Sequence, residues 1–517
     1  MFRFFKKLRD RRKSFLEGEM AKHNHNLEKV KVHSSLNKNI ATSKTVFSDI
    51  DIIRYKMIHG PGDKPLKFFL VFCKEMVNTE TINSNIVKTL MNFKPVTNAP
   101  VMDALLAEVL QVGETETTDN FQCIVERVTS GDTILFVEGC SRAAILVTKE
   151  FPTRSIEEPD NEKVLGGPRE GFTESLMQNL TQVVRRLNTN DFKIKMLTLG
   201  KRTKTQVCVC YLDSLADKTI ISDIFDRLNK IDIDGVLDSN YITELIGDNR
   251  YSPFRTVGYT ERPDSVAGKL LEGRIAIFTN GSPMVLTAPY LFIENFQSSE
   301  DYYFSFFYTS FARMLRISAF ILTITVPGLY ISTVAFQPQM LPLQLLIRIA
   351  MERQTVPLPA AIEAVVMLLV FDILKETGIR MPSNIGQTLS IVGALVIGQA
   401  AVEASLVAAP MIIVVAATGI TGLLVPKLNA PIIFWRLFIL FMSSTFGFYG
   451  LTIGVSLMMI HINNLTSFGI SQTSMRGNFR LQGIKDIFVR APWNLMVERP
   501  DSLTSNKIRQ TGDDENV

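Results

Sequence analysis

The chain has 517 residues, and its 55 Lys and Arg residues nearly balance its 51 Asp and Glu residues, for a net charge of +4. This length allows two to four domains. The nearly balanced charge does not indicate a nucleic-acid-binding protein. No groove-reading motif accompanies the basic residues either. The charge is unevenly distributed: residues 1–313 have the mixed composition of a water-soluble chain, whereas the remainder contains long apolar runs.

Residues 1–45 are predicted to form a basic arm and linker, in which Lys and Arg are interleaved with phenylalanines such as Phe4 and Phe5. The pattern suits either an arm that touches anionic lipid or a solvated tail without stable structure, and we favour the tail. No apolar stretch with a cleavage site of the secretory type follows the arm. Residues 1–313 are therefore expected to stay in the cytoplasm.

A cytoplasmic domain of the α/β (α+β) class is predicted next, in two subdomains that cover residues 46–120 and 121–312. In the first subdomain, residues 67–73 have the continuous apolar pattern of a buried strand. Residues 78–91 have the pattern of a helix. The alternation of such strands and helices is the basis for the predicted fold class.

The second subdomain is predicted to begin with a hairpin over residues 119–149, whose first strand starts at Phe121. Two further strands are expected over 193–199 and 206–212, followed by a helix over 219–231. Asn280-Gly281 lies between two short apolar runs, which is a strong signal for a hairpin turn.

No catalytic, cofactor-binding or metal-binding residues are predicted. The five histidines and five cysteines show no ligand spacing. Cys208 and Cys210 alternate with valines in a predicted strand, so both thiols should face one side as buried free thiols. The Gly-rich segment 166–171 lacks the Gly-Lys-Ser/Thr of a phosphate-binding loop, which favours a structural turn or a subunit-contact loop. The chain is not expected to be an enzyme.

Residues 313–465 are predicted to form an all-α membrane domain. Between residues 385 and 425 only Glu403 carries a charge, and a helix needs about 20 apolar residues to cross a bilayer. The expected spans cover about 317–336, 358–374, 385–402, 407–425 and 432–461. Residues 343–357 hold three charged side chains and are expected to be a half-helix, a re-entrant segment or an interfacial helix.

Basic residues that flank the apolar runs predict the orientation, because such residues favour the cytoplasmic side. Arg313 and Arg316 place the start of the first span inside. Lys375 and Arg380 do the same for the loop after the second span, and Lys427 does so for the loop after the fourth. These three assignments agree with one another.

The tail, residues 466–517, does not fit this count simply. Five spans would leave the tail outside, yet its own basic residues indicate the cytoplasmic side. Either one segment is re-entrant, or 343–357 crosses, or 432–461 bends back near Gly447 and Gly450. We expect a cytoplasmic tail and leave these three explanations open.

One face of the third span is the best candidate for a functional surface. Val392, Val396, Gln399 and Glu403 fall on one side of a helix, where small residues permit close packing. A narrow aliphatic ring with a carboxylate ring beyond it suits a cation path, so these four residues are predicted to line a pore. Glu363 in the second span is a further candidate. The alternative is that Glu403 lies in water at the outer interface and the small residues only pack helices.

Several motifs in one order resemble the A subunit of the GerA spore-germination receptor family. Two of them are EGRIAIFTNGSPMVL at 272–286 and SIVGALVIGQAAVEA at 390–404. The remaining motifs lie at 167–174, 260–263, 296–303, 373–382, 385–387 and 489–493. The similarity covers roughly residues 50–495, and the second motif contains the helix chosen above as the pore-lining candidate.

The resemblance implies a multi-pass protein of the spore inner membrane. It implies two partners, a transporter-like B subunit that binds the nutrient and a C subunit that is a lipoprotein. It also implies a homo-oligomer in the lipid bilayer that releases monovalent cations when nutrient binds and so signals germination. The family supplies no catalytic residues, and it includes a relative that acts in germination without being a nutrient receptor itself.

Two other functions remain open at this point. One is a secondary transporter subunit in which residues 337–357 and Glu363 bind substrate; an internal repeat would favour it, and none is visible. The other is a membrane scaffold of the receptor complex that conducts nothing. The nutrient, the stoichiometry and the ion selectivity do not follow from the sequence.

Overall fold

The computed structural model describes residues 30–61, 65–74, 76–93, 101–106, 115–149, 158–159, 161–381, 396–473, 489–493, 499 and 504. These residues divide into two compact units. The α/β unit contains the described residues up to 246, together with 257–289, 499 and 504. The helical unit contains residues 247–256 and the described residues from 290 to 493.

The first sheet of the α/β unit has five antiparallel strands. They are β1 (Ile53–His59), β2 (Lys67–Cys73), β3 (Thr115–Thr118), β4 (Thr133–Val137) and β5 (Ala143–Leu146), in the spatial order β1-β2-β4-β5-β3. Helix α1 (Leu36–Val46), a helix over residues 79–92 (α2), Val101–Ala104 (α3) and Phe121–Thr129 (α4) accompany them. Alternate side chains of β2 enter two separate apolar cores, so the strand is buried on both faces, as predicted.

The second sheet is also antiparallel, with β6 (Phe192–Leu199), β7 (Thr205–Leu212), β8 (Gly258–Thr260), β9 (Ile275–Thr279) and β10 (Val285–Ala288) in the order β6-β7-β9-β10-β8. Its helices are α5 (Leu176–Val184), α6 (Lys218–Asn229), α7 (Ser239–Ile246) and α8 (Pro263–Leu271). The β9–β10 hairpin turns at Gly281, whose φ of +88° suits glycine. The predicted strands at 193–199 and 206–212 and this hairpin are confirmed.

Residues 121–125 were expected to be a strand, and that prediction is wrong. Phe121, Ile124 and Val128 are buried on one face of helix α4, at the spacing of a helix rather than of a strand. The side chain of Asn120 accepts a hydrogen bond from the backbone N–H of Gln122 and caps the helix. A short apolar run fits both patterns, and the cap favours the helix.

The first sheet also crosses the subdomain boundary expected at residue 120, because β4 and β5 pair with β2 and β3. Residues before 46 are not all linker: Leu36 in α1 is only 1% exposed and packs in the core between the two sheets. The tail returns to this unit at Thr504, whose Oγ1 donates to the carbonyl oxygen of Leu215 at 2.5 Å. The α/β unit thus differs from the expected range 46–312: it gains α1 and Thr504, whereas residues 247–256 and 290–312 belong to the helical unit.

The described residues of the helical unit contain six α-helices. They are α9 (Phe306–Ile331), α10 (Leu343–Gln354), α11 (Ala360–Arg380), the described residues 396–403 (α12), α13 (Ala409–Leu423) and α14 (Asn429–Asn464). Two stretches, Phe306–Phe336 and Pro426–Asn464, are long and apolar enough to cross a membrane by length and composition. Helix α10 spans only about 18 Å, so it is too short to be a crossing.

Helix α14 is a hairpin of two antiparallel arms rather than one straight helix. The backbone reverses at Gly447, which has φ +59° and ψ −136°. The rings of Trp435 and His461 lie 5.6 Å apart, whereas a straight helix would separate these residues by about 39 Å. A Cβ at Gly450 would lie 1.9 Å from the carbonyl oxygen of Met442, so the turn requires glycine there. Three explanations were given above for a cytoplasmic tail. The structure shows one of them, the bend of residues 432–461 near Gly447 and Gly450.

Both ends of α14 therefore lie at one end of the unit, which we call the basal end; the opposite end is the distal end. Phe254 contacts both His461 and Phe292, and Phe292 packs on Phe320 in the middle of α9. Beyond the end of α9, Phe336 lies against the hairpin tip at Gly447. Helix α9 thus also begins at the basal end. The hairpin tip at Gly447 lies at the distal end. A Cβ added to Gly447 would be 2.8 Å from the ring of Phe336. The β-bridge pair Thr466–Ser467 (β11) and Ile470–Ser471 (β12) follows α14 at the basal end.

Because Leu36 belongs to the core, a fragment of residues 30–289 should fold without the helical unit, and Leu36→Ala should destabilise it by about 3 kcal/mol. Urea unfolding followed by circular dichroism measures the effect. Lys38→Ala, at an exposed position of the same helix, is the control and should change stability by less than about 0.5 kcal/mol. Equal stability of the two variants would show that α1 does not belong to the folded core.

Candidate functional site

The described part of the predicted pore face is exposed. Val396 is 57% exposed, and Gln399 and Glu403 are also exposed on α12. Gln399 Nε2 donates to Glu403 Oε1 at 2.9 Å across one turn. Val392 lies outside the described residues. The structure thus places three of the four predicted residues on one outward face of the helical unit.

The opposite side of α12 packs into the unit. Ala401 contacts an apolar cluster that contains Val407, Met411 and Leu368. A tight turn follows, in which Leu406 N–H donates to the carbonyl oxygen of Ala401 at 2.9 Å. The exposed polar face is therefore backed by a packed core, which fixes its direction.

Glu363 is fully buried and lies directly beneath this turn. Its Oε1 accepts a hydrogen bond of 2.7 Å from the backbone N–H of Ala408, at the start of α13. A carboxylate at a helix N-terminus interacts favourably with the helix dipole, and Arg353 adds an electrostatic attraction. In the single subunit, Glu363 holds the α12–α13 turn and does not share the exposed face of Gln399 and Glu403.

A second buried charge ties the helices together toward the basal end. Arg436, in the first arm of α14, is 3% exposed and donates to Asp372 Oδ2 of α11 at 2.5 Å. Lys375 Nζ donates to Asn429 Oδ1 at 2.9 Å one turn away. These contacts fix α11 against the hairpin. Arg436 is an isolated charge in an apolar run of the sequence, and its partner lies 64 residues earlier.

At the basal end, Asp301 accepts hydrogen bonds from two arginines of α9. Arg313 Nε lies 2.9 Å from Oδ2, and Arg316 Nη2 lies 2.7 Å from Oδ1. Burial raises the pKa of Asp301, but the hydrogen bonds and positive charges of Arg316 and Arg313 outweigh it and hold that pKa below the usual value. The two arginines, read from the sequence only as an orientation signal, therefore also anchor α9.

In the α/β unit, Arg262 holds the Gly-rich segment in place. Arg262 is fully buried and donates to the carbonyl oxygen of Pro168 at 2.6 Å, while it pairs with Asp264 at 2.9 Å. Gly167 has φ +104°, which suits glycine. In β7, Cys208 and Cys210 are both buried with sulfur atoms 3.5 Å apart, so the predicted side-by-side thiols are confirmed.

Comparison with known proteins gives consistent results. A family model described as Bacillus/Clostridium GerA spore germination protein matches residues 38–502. Spore germination protein KA of Bacillus subtilis (strain 168) is 37% identical, over 94% of this chain and 90% of the relative. Spore germination protein A1 of the same organism is 32% identical, over 86% and 90%. The uncharacterized membrane protein YfkQ, also from that organism, is 39% identical over 88% of each chain.

One similar solved structure is the crystal structure of the N-terminal domain of the A subunit of the Bacillus megaterium spore germinant receptor GerK3. It is 29% identical to this chain, with a TM-score of 0.41. The alignment covers 51% of this chain and 97% of the crystallised domain.

Asp301→Asn should destabilise the helical unit by about 3 kcal/mol, because it leaves two arginines near a neutral partner in a buried setting. The lowered pKa of Asp301 means that this contribution is present at neutral pH and is lost as the pH falls through that lowered pKa. Thermal unfolding of the full chain in lipid nanodiscs measures the loss.

The matched control is Glu376→Gln, which removes an exposed ion pair with Arg380. Exposed pairs contribute little, about 0.5 kcal/mol, so this variant should unfold close to the wild-type temperature. Similar losses in both variants would mean that the Asp301 contact has no special role.

Proposed function

Because this chain belongs to the Bacillus/Clostridium GerA family of spore germination proteins, we propose that it is the A subunit of a nutrient germinant receptor that oligomerises into a nutrient-gated cation channel in the spore inner membrane. Its proposed partners are the B subunit, which binds the nutrient, and the C lipoprotein. Cation release through the channel then triggers germination.

The observation that carries the channel proposal is the exposed Gln399–Glu403 pair on an otherwise apolar helix. An amide and a carboxylate are costly against lipid and usually face a protein interior or a water-filled path. Because this face is exposed in one subunit, other copies of the subunit are its proposed neighbours. Several copies arranged with this face inward would surround an axis lined by carboxylates.

Val396 supports a gate in the same path. It lies two helical turns before Glu403, about 10 Å along the axis, and its side chain is exposed on the same face. A ring of valines would form a narrow apolar constriction, which excludes water when closed. Val392, four residues earlier in the sequence, is proposed to extend this constriction.

Glu363 is proposed to position the path rather than to line it. Its carboxylate fixes the N–H of Ala408, only five residues after Glu403. A force that moves α11 would therefore be transmitted to the α12–α13 turn. This contact offers a route by which movement elsewhere in the helical unit can rotate the pore face.

The membrane orientation is part of the proposal. The basal end carries Arg313, Arg316 and both ends of the α14 hairpin, so we place the basal end and the tail on the cytoplasmic side. The α/β unit is placed in the cytoplasm as well. With α9, α11, the predicted span 385–402 and α13 each crossing once and α14 crossing twice, the proposed crossings number six, and this even number agrees with a cytoplasmic tail.

Val396→Ala should widen the constriction and make the closed state leak, so that spores lose cations and germinate without nutrient. Glu403→Gln should instead lower cation flux after nutrient addition, because a rim carboxylate concentrates cations. Potassium release and loss of dormancy in spores, measured with the receptor level, test both outcomes.

The controls are Val366→Ala and Glu352→Gln, which alter the same residue types at exposed positions of α11 and α10. Both should leave dormancy and flux unchanged. Normal dormancy of Val396→Ala at a normal receptor level would reject Val396 as the gate, and a reduced receptor level alone would indicate a packing role.

The hairpin and the orientation predict opposite labelling of two tyrosine positions. Tyr449 is exposed near the distal tip and Tyr251 is exposed at the basal end. In intact cells, a membrane-impermeant thiol reagent should label Tyr449→Cys but not Tyr251→Cys, which should react only after permeabilisation. The chain without an added cysteine is the control. The reverse pattern would invert the orientation, and equal labelling of both would reject the hairpin.

A further inference from the structure

The first three turns of α9 have an inverted distribution of polar and apolar side chains. Thr309 and Arg313 are buried, and Arg316 is half-buried against Asp301. Phe307, Tyr308, Phe311, Met314 and Leu315 are exposed, with Phe307 at 74%. A helix end that lies in water would show the opposite pattern, with arginines outward and aromatic rings inward.

The C-terminal segment 489–493 packs onto the same end of α9. The backbone N–H of Arg490 donates to Ser310 Oγ at 3.1 Å, and its guanidinium donates to the carbonyl oxygen of Phe304 at 2.8 Å. That guanidinium lies 5.3 Å from the ring of Trp493, within the range of a cation–π contact. Trp493 in turn contacts the ring of Tyr302 at 5.9 Å and remains 55% exposed.

The exposed rings at this end of α9 are together called the aromatic platform: Phe307, Tyr308, Phe311 and Trp493. We propose that the aromatic platform lies in the headgroup layer of the lipid bilayer and holds the C-terminal segment 489–493 at the membrane surface. Its proposed occupant is lipid, not water, a second copy of this chain or another subunit.

Continuity with the apolar surface of α9 favours lipid. Phe307, Phe311, Leu322 and Leu329 are all exposed, and their spacing of 4, 11 and 7 residues places them on one side of the helix. The platform is therefore the basal extension of the stripe that a spanning helix turns toward lipid.

The length of α9 and the residue types of the platform also favour lipid as the occupant. Helix α9 has 26 residues, about 39 Å, whereas the hydrocarbon layer is about 30 Å thick. About 9 Å of the helix therefore lies beyond the hydrocarbon, and the buried arginine and exposed rings of the first turns favour that end for the headgroup layer. Trp and Tyr are enriched at that depth because their rings are apolar and their N–H and O–H groups reach water.

The chain has only two tryptophans, Trp435 and Trp493, so fluorescence can test the proposal. The full-length Trp435→Phe chain is reconstituted in phosphatidylcholine vesicles that carry bromine either near the glycerol end or near the methyl end of the acyl chain. Trp493 emission should fall at least twofold with bromine near the glycerol end and much less with bromine near the methyl end. Arg490→Gln should reduce this quenching, because it removes the contacts that hold Trp493 beside Tyr302.

The difference in emission between the wild-type and Trp493→Phe chains gives the same quantity if Trp435→Phe does not fold. Strong quenching by acrylamide without quenching by either brominated lipid would place Trp493 in water and overturn the proposal. Emission insensitive to acrylamide and to both lipids would show that protein covers the platform, and that result would also overturn it.

Discussion

A charge inside an apolar helical unit needs a partner, because neither lipid nor aliphatic side chains can replace its hydration. The helical unit meets this constraint at three levels. Asp301 holds the arginines of α9, Asp372 holds Arg436 of α14, and the backbone N–H of Ala408 holds Glu363. The contacts of Arg436 and Glu363 join residues that are 64 and 45 positions apart in the chain, so the pairing of these two charges also helps to determine which helices pack together.

Against this background, the Gln399–Glu403 pair is different. Its two members satisfy each other only in part and keep their remaining polar groups at the surface of the subunit. The aromatic platform at the basal end has the opposite character, with its charges turned inward and its rings turned outward. The same helical unit therefore presents one surface suited to water or to other subunits, and another suited to lipid.

Local patterns in the sequence predicted much of the fold. β2, β6, β7 and the β9–β10 hairpin follow from apolar runs and turn residues. The strand expected at 121–125 failed because a run of five residues satisfies two periodicities, and a cap at Asn120 decided between them. The core position of Leu36 could not be recognised, because its helix buries the polar Asn39 and Ser43 beside it and so has no continuous apolar stripe.

In the candidate site, too, some features follow from local spacing in the sequence and others depend on how the chain packs. The face of Val396, Gln399 and Glu403 follows from helical spacing alone, and the structure leaves it exposed. The partners of Glu363 and Arg436 did not follow, since they lie 45 and 64 residues away and depend on how helices pack. Gly447 and Gly450 suggested a bend, but only the packing of Trp435 against His461 distinguishes the bend from a crossing.

The α14 hairpin has a consequence for the surrounding lipid. Its arms, residues 429–446 and 448–464, are about 27 and 26 Å long, whereas α9 is about 39 Å long. The extra length of α9 is proposed to lie in the headgroup layer, whereas both arms are shorter than a hydrocarbon layer of about 30 Å. Hydrophobic mismatch therefore differs around the perimeter of the protein, and lipids with shorter acyl chains should collect beside the hairpin. The local composition of the membrane then becomes one of the forces that act on the subunit.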